Sequence, residues 1–131
     1  MTMDEFGRYA LYLGGALNLG LIVFHGLFWR LFRWRDELAR LSGLNRNVMQ
    51  IMNLCLMVLF AVLAYLSFAH APALLASPLG HAVLAGFAVF WILRAAEQVW
   101  FFGLKAPLSV FFTGLFATQA GLCVAPLALA A

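Results

Sequence analysis

Charged side chains are scarce: the 131 residues carry eight Lys and Arg and five Asp and Glu, 10% of the chain, while 66% are hydrophobic. Soluble domains hold about 25% charged residues, and a fold this small leaves much of its surface in water. A soluble enzyme is thereby excluded. Cysteine is equally sparse, with two, Cys55 and Cys123. Measured along helices from the nearest basic residue, they lie at depths differing by roughly 13 Å, too far for a disulfide, so both read as small buried apolar residues. CxxC, HExxH, P-loop, GxSxG and GxGxxG patterns are all missing, which removes the common metal, phosphate and nucleophile signatures. No motif calls for a metal or a cofactor.

What the sequence does have is long uncharged runs. Arg8 to Arg30 encloses 21 uncharged residues, Arg46 to Arg94 encloses 47, and no charge follows Lys105. A membrane span needs roughly 20 apolar residues at about 1.5 Å each, so the runs hold one, two and one spans. Backbone amides in hydrocarbon must bond to one another, and these continuous runs suit helices rather than the alternating strands of a barrel. The expected spans are residues 9–29, 48–69, 79–102 and 108–127. His70-Ala71-Pro72 through Ser77-Pro78-Leu79-Gly80 divides the middle run, and Pro107 suits the first turn of the last helix. The fold class is therefore an all-α integral membrane protein, a single domain forming an up-and-down bundle of four transmembrane helices.

Orientation follows from the basic residues. Arg30, Arg33, Arg35, Arg40 and Arg46 lie between spans one and two and Lys105 between spans three and four, whereas the loop between spans two and three is uncharged. The positive-inside rule then puts both termini outside an inner (plasma) membrane and the basic loop 30–46 in the cytoplasm. The acidic start, Asp4 and Glu5, is unlike a secretory signal, so span one is expected to be retained. The net charge of +3 belongs to the cytoplasmic face and points to anionic headgroups, with no nucleic acid needed to explain it.

Within that loop, Leu31, Trp34, Leu38 and Leu41 fall on one stripe of an amphipathic helix. Arg33 with Glu37, and Asp36 with Arg40, are four apart and suited to pair on the wet side. The expected object is a basic amphipathic extension of span one, either continuous for about three turns or bent onto the membrane surface. Arg30, Arg33, Trp34, Arg35, Arg40 and Arg46 are its membrane-surface residues. Gly43 reads as its stop, and Asn45 or Asn47 as the cap of span two.

Polar groups inside spans are costly and so have partners or tasks. Converted to depth, His25, Asn53, Glu97 and Thr113 sit roughly 7 to 12 Å above the inner boundary, one from each helix. Gln50, Gln98 and Ser109 lie at or just below that layer and Arg94 slightly above it; Asn18, Thr118 and Gln119 are nearer mid-membrane. Arg94 and Glu97, three apart, are expected to pair. The ligand-binding or proton-relay candidates are His25, Gln50, Asn53, Arg94, Glu97, Gln98 and Thr113. Rows of small residues, such as Ala16 and Gly20 or Ala117 and Gly121, are expected to let helices approach closely, and also suit a dimer.

The leading functional expectation is a non-catalytic protein that binds a lipid-like or quinone-like molecule in the polar layer, or serves as an accessory subunit of a membrane complex. A dimeric proton-coupled transporter using Glu97 is the second. A membrane-embedded enzyme of lipid or quinone chemistry, with His25 and Glu97 as acid and base, is the third, although no nucleophile or metal set accompanies them. The implied partners are membrane lipids, including anionic ones, and a second copy or a larger membrane complex.

Overall fold

The structure, a computed structural model, describes residues 1–130. Those residues are all-helical: α1 (Met3–Gly26), α2 (Phe28–Leu31), α3 (Trp34–Glu37), a 3₁₀ turn (Leu38–Arg40), α4 (Gly43–Ala69), α5 (Ala71–Ala76), α6 (Pro78–Phe102) and α7 (Pro107–Ala130). Four of these, α1, α4, α6 and α7, are long and apolar enough to cross a membrane. The chain is therefore built as a multi-pass membrane protein.

Helix starts are set by hydroxyl caps and prolines. Thr2 and Glu5 form a reciprocal capping box, with Glu5 N–H donating to Thr2 Oγ1 at 3.2 Å and Thr2 N–H to Glu5 Oε2 at 2.7 Å. That box starts α1 six residues ahead of the expected span. Ser42, rather than Asn45 or Asn47, caps α4, accepting from Asn45 N–H at 3.4 Å. Gly43 is accordingly the first residue of α4 instead of a stop. Ser77 accepts from Gly80 N–H at 2.9 Å and donates to the Ala73 carbonyl at 2.7 Å, so one hydroxyl joins the end of α5 to the start of α6. Pro78 and Pro107 occupy first-turn positions, where a missing N–H costs nothing.

The continuous extension of span one is not formed. α1 stops at Gly26, and Arg33 takes a left-handed conformation (φ 50°) that reverses the chain. The reversal turns Trp34 inward, to 7% exposure, with its ring 5.2 Å from Phe28 and 6.0 Å from Trp29. Leu38 is buried beside it on the same stripe, whereas Leu31 is left exposed. Burying a tryptophan stabilises the bend more than the broken turn costs. Because the segment is short helix and 3₁₀ turn, its ion pairs are i to i+3, Arg33 with Asp36 at 3.0 Å and Glu37 with Arg40 at 3.2 Å, not the i+4 pairs a regular helix favours.

Packing is uneven around the bundle. α1 packs against α4, α5 and α7, and α6 packs against α5 and α7, while the α4 backbone keeps away from α6 and α7. Side chains bridge that gap at one level. Trp91 of α6, 1% exposed, stacks between Phe60 of α4 and Phe116 of α7, both ring centroids 5.8 Å away. Leu21, Leu63 and Ala120 complete this cluster, and a second one joins Leu11, Ala71, Leu74 and Leu84 at the α5 end.

Close approach falls on other glycines than the expected rows. A Cβ at Gly15 would lie 3.0 Å from Phe68 and 3.1 Å from Ser67, and one at Gly7 3.0 Å from Leu75. Gly20, Gly86, Gly114 and Gly121 have open space beside them, and Ala16 and Ala117 are exposed, so those rows do not draw the four helices together. Cys55 is exposed rather than buried, and Cys123 is half-buried. Helical period alone does not say which face of an all-apolar helix turns inward, because lipid accepts the same residues as the core.

Gly80 is where the backbone tolerates least, since a Cβ would sit 2.5 Å from the Leu74 backbone and the Ala73 carbonyl. Gly80→Ala is expected to lower the thermal midpoint and the folded yield sharply, while Gly20→Ala stays within about 0.5 kcal/mol of the parent. Unfolding curves in detergent check both; equal midpoints would refute this packing of α5 on α6.

Candidate functional site

Below the Trp91 sandwich the gap between α4 and α6 becomes a cavity of about 420 Å³. Its walls are mostly aromatic: Phe24 and Phe28 from one side, Phe60 from α4, Phe90 and Trp91 from α6, and Phe112 and Phe116 from α7. The residues at the turn between α6 and α7, Ala106 and Leu108, lie at its lower end with Phe32 and Phe102. Such walls exclude water and present flat faces to a ligand.

Four polar side chains line this cavity: His25, Arg94, Gln98 and Ser109. Arg94 lies with its guanidinium carbon 4.6 Å from the centre of the Phe116 ring, a cation–π contact that holds the charge against an apolar wall. Its Nη2 donates to Gln98 Oε1 at 3.1 Å. Gln98 Nε2 donates to Ser109 Oγ at 3.2 Å, and Ser109 Oγ to the Gly103 carbonyl at 2.6 Å. This relay fastens α6 to α7 and ends on the backbone at the left-handed glycine between them (φ 67°). The expected partner Glu97 stands at the loose limit of an ion pair, 3.9 Å from Arg94 Nη1, and is not among the lining residues. Gln98 holds Arg94 more closely than the carboxylate does.

Opposite this relay, His25 Nδ1 bonds the Leu21 carbonyl at 2.8 Å, and its ring stacks on Phe28 with centroids 4.6 Å apart. Asn53 Nδ2 donates to the His25 carbonyl at 3.2 Å, tying α4 to the end of α1, while its Oδ1 is buried without a protein partner. The expected layer thus forms in two separate pieces with the cavity between them. Gln50 bonds its own helix at the Arg46 carbonyl and Thr113 bonds the Ser109 carbonyl, and neither lines the cavity. An amide or hydroxyl with a free carbonyl one turn back satisfies itself locally, which a depth count does not register.

The histidines that flank α5 are engaged separately, His70 with Tyr65 Oη at 3.2 Å and His81 with the Leu75 carbonyl at 2.7 Å. Among the described residues no group of three His, Cys, Asp or Glu gathers as a metal site would require. The aromatic wall escaped the depth count because it draws only polar residues; the 13 phenylalanines are the signal that was present.

Fold and site together define a small helical membrane protein with a ligand-sized cavity between its helices. Compared with protein-family models, curated proteins and solved structures, the chain matches none.

Gln98 is 5% exposed and serves two helices at once. Gln98→Ala is expected to cost about 1–3 kcal/mol by leaving the partners of both bonds without it, whereas exposed Thr118→Ala stays within about 0.5 kcal/mol. Chemical unfolding of the two variants in the same micelle gives the comparison, and equal costs would remove the relay as a structural element.

Proposed function

We propose that this chain is a non-catalytic inner-membrane protein that binds one quinone-like or lipid-like molecule in the cavity beside Arg94. The reading makes it an up-and-down bundle with both termini outside, its Arg-rich segment 30–46 cytoplasmic and in contact with anionic headgroups. The cavity then lies in the inner leaflet. Service as an accessory subunit, as a dimer or within a larger membrane complex, is compatible with the same ligand.

The observation that carries the proposal is a cation inside an aromatic cavity of ligand size. Pockets for small molecules run about 300–1,000 Å³, mostly apolar with a few placed polar groups, and this cavity has that size and composition. Arg94 has five donors, more than Gln98 and Glu97 occupy, so it can offer a hydrogen bond to a carbonyl or acid oxygen. His25 uses Nδ1 toward the Leu21 carbonyl, which in the neutral ring makes Nε2 an acceptor. A head group with an acceptor for Arg94 and a hydroxyl for His25, on a flat ring between phenylalanines, is the chemistry of a quinone and its reduced form. A lipid head would use Arg94 and leave the aromatic faces to its chain.

Native mass spectra of the protein after mild extraction, and quenching of tryptophan fluorescence by a short-chain benzoquinone, test the proposal. One small amphiphile per chain and saturable quenching are expected. Arg94→Gln is expected to weaken quinone binding about 10-fold or more, the value of one hydrogen bond to a charged group, and Leu56→Trp to fill the cavity and abolish binding. A wild-type spectrum with no bound molecule, together with quenching that never saturates, would overturn it.

A further inference from the structure

Above the Trp91 sandwich lies a second, smaller cavity of about 30 Å³. Its lining is largely apolar, with Leu11, Leu63 and Phe87 among its walls, but it also includes Asn18, Ser67 and Gln119. All three are buried, Asn18 at 4% and Gln119 at 1% exposure. They come from three different helices, with Asn18 and Gln119 well inside α1 and α7 and Ser67 in the last turn of α4. Burying three polar side chains around one cavity in an apolar bundle calls for an account of their partners.

The amide nitrogens of Asn18 and Gln119 have partners. Asn18 Nδ2 donates to the Gly14 carbonyl at 2.9 Å, and Gln119 Nε2 reaches the same carbonyl at 3.4 Å. Gly14 permits this convergence, because a Cβ there would stand 3.3 Å from Gln119 Oε1. With its amide nitrogen held to Gly14, Asn18 has its Oδ1 buried with no hydrogen-bond partner in the protein. Turning the amide over would only exchange the problem, setting oxygen against the Gly14 carbonyl oxygen.

We infer that this cavity is an internal hydration site, holding one or two water molecules that donate to Asn18 Oδ1 and bridge it to Ser67 and Gln119. Size agrees, since a water needs about 10–15 Å³ of such space and two to four polar partners. An empty cavity stays dry when its walls are apolar throughout, and here the lining includes Asn18, whose acceptor is buried and unpartnered. A metal cation fits poorly, because no carboxylate lines the site to offset the loss of the ion's own hydration. A water exchanges bulk hydrogen bonds for equivalent ones and brings no charge.

Trp91 lines both cavities, so the hydrated site and the ligand cavity share a wall of one indole ring. The interior is divided into a small wet compartment above and an aromatic one below. The upper site does not depend on any ligand in the lower one.

Full-length protein labelled with ¹⁵N on its asparagine and glutamine side chains, in detergent micelles, provides the test. Water-selective NOE and ROE spectra are expected to show long-lived water at the side-chain amides of Asn18 and Gln119, with the Gln119 signal lost in Asn18→Leu. Absence of water cross-peaks at both amides in the wild-type protein would overturn the inference, and this result stands whether or not the leucine variant folds. A parallel titration in which sodium replaces choline is expected to leave both amide shifts unchanged; a saturable shift would make the occupant a cation and overturn it equally.

Discussion

One indole ring organises the interior. The backbone of α4 does not approach α6 or α7, so the bundle would be open along that side without a side chain to span it. Trp91 spans it by stacking between Phe60 and Phe116, and it is almost wholly removed from the surface in doing so. Above the ring Gly7, Gly14 and Gly15 bring helices together and leave only a small cavity; below it the space is large enough to hold a molecule. The cavity exists because α4 is held off, and it is closed on top because Trp91 reaches across.

The polar groups obey a second constraint, that a donor or acceptor within an apolar bundle must find its partner inside the protein. Most do so by the cheapest route, the carbonyl one turn back, as His25, Gln50, Thr113 and Thr118 do. A few reach between helices, and these set the architecture: Asn53 to the His25 carbonyl, Gln119 to the Gly14 carbonyl, and Gln98 to Ser109. Arg94 combines both, bonded to Gln98 one turn on while its guanidinium lies over a phenylalanine of the next helix. A charge placed this way is held without being neutralised, which is what a binding site for a polar head requires.

Much of the layout was legible before folding. The uncharged runs mark four helices because hydrocarbon length converts directly into residue number, and Pro78 and Pro107 start helices as a missing N–H dictates. Counting depth put His25 in a polar layer with Gln98 at or just below it and Arg94 slightly above, and all three line the cavity. Gln50, Asn53, Glu97 and Thr113 do not line it, since depth says how far along a helix a residue lies and nothing about its direction around the axis. The reversal at Arg33 was hidden for a related reason: a stripe of Leu31, Trp34, Leu38 and Leu41 is equally consistent with a straight helix and with a chain folded back to bury its tryptophan.

The sequence by itself determined a four-helix membrane protein, the level of its polar residues and the concentration of charge in one loop, all through one-dimensional quantities, length and charge against a slab of fixed thickness. Tertiary structure alone decided which faces meet. Lipid and protein core accept the same apolar side chains, so hydrophobicity carries no instruction about inside and outside here. That choice was made by shape, by glycines admitting a neighbouring helix and aromatic rings filling or failing to fill the space between, and it produced the two cavities on either side of Trp91.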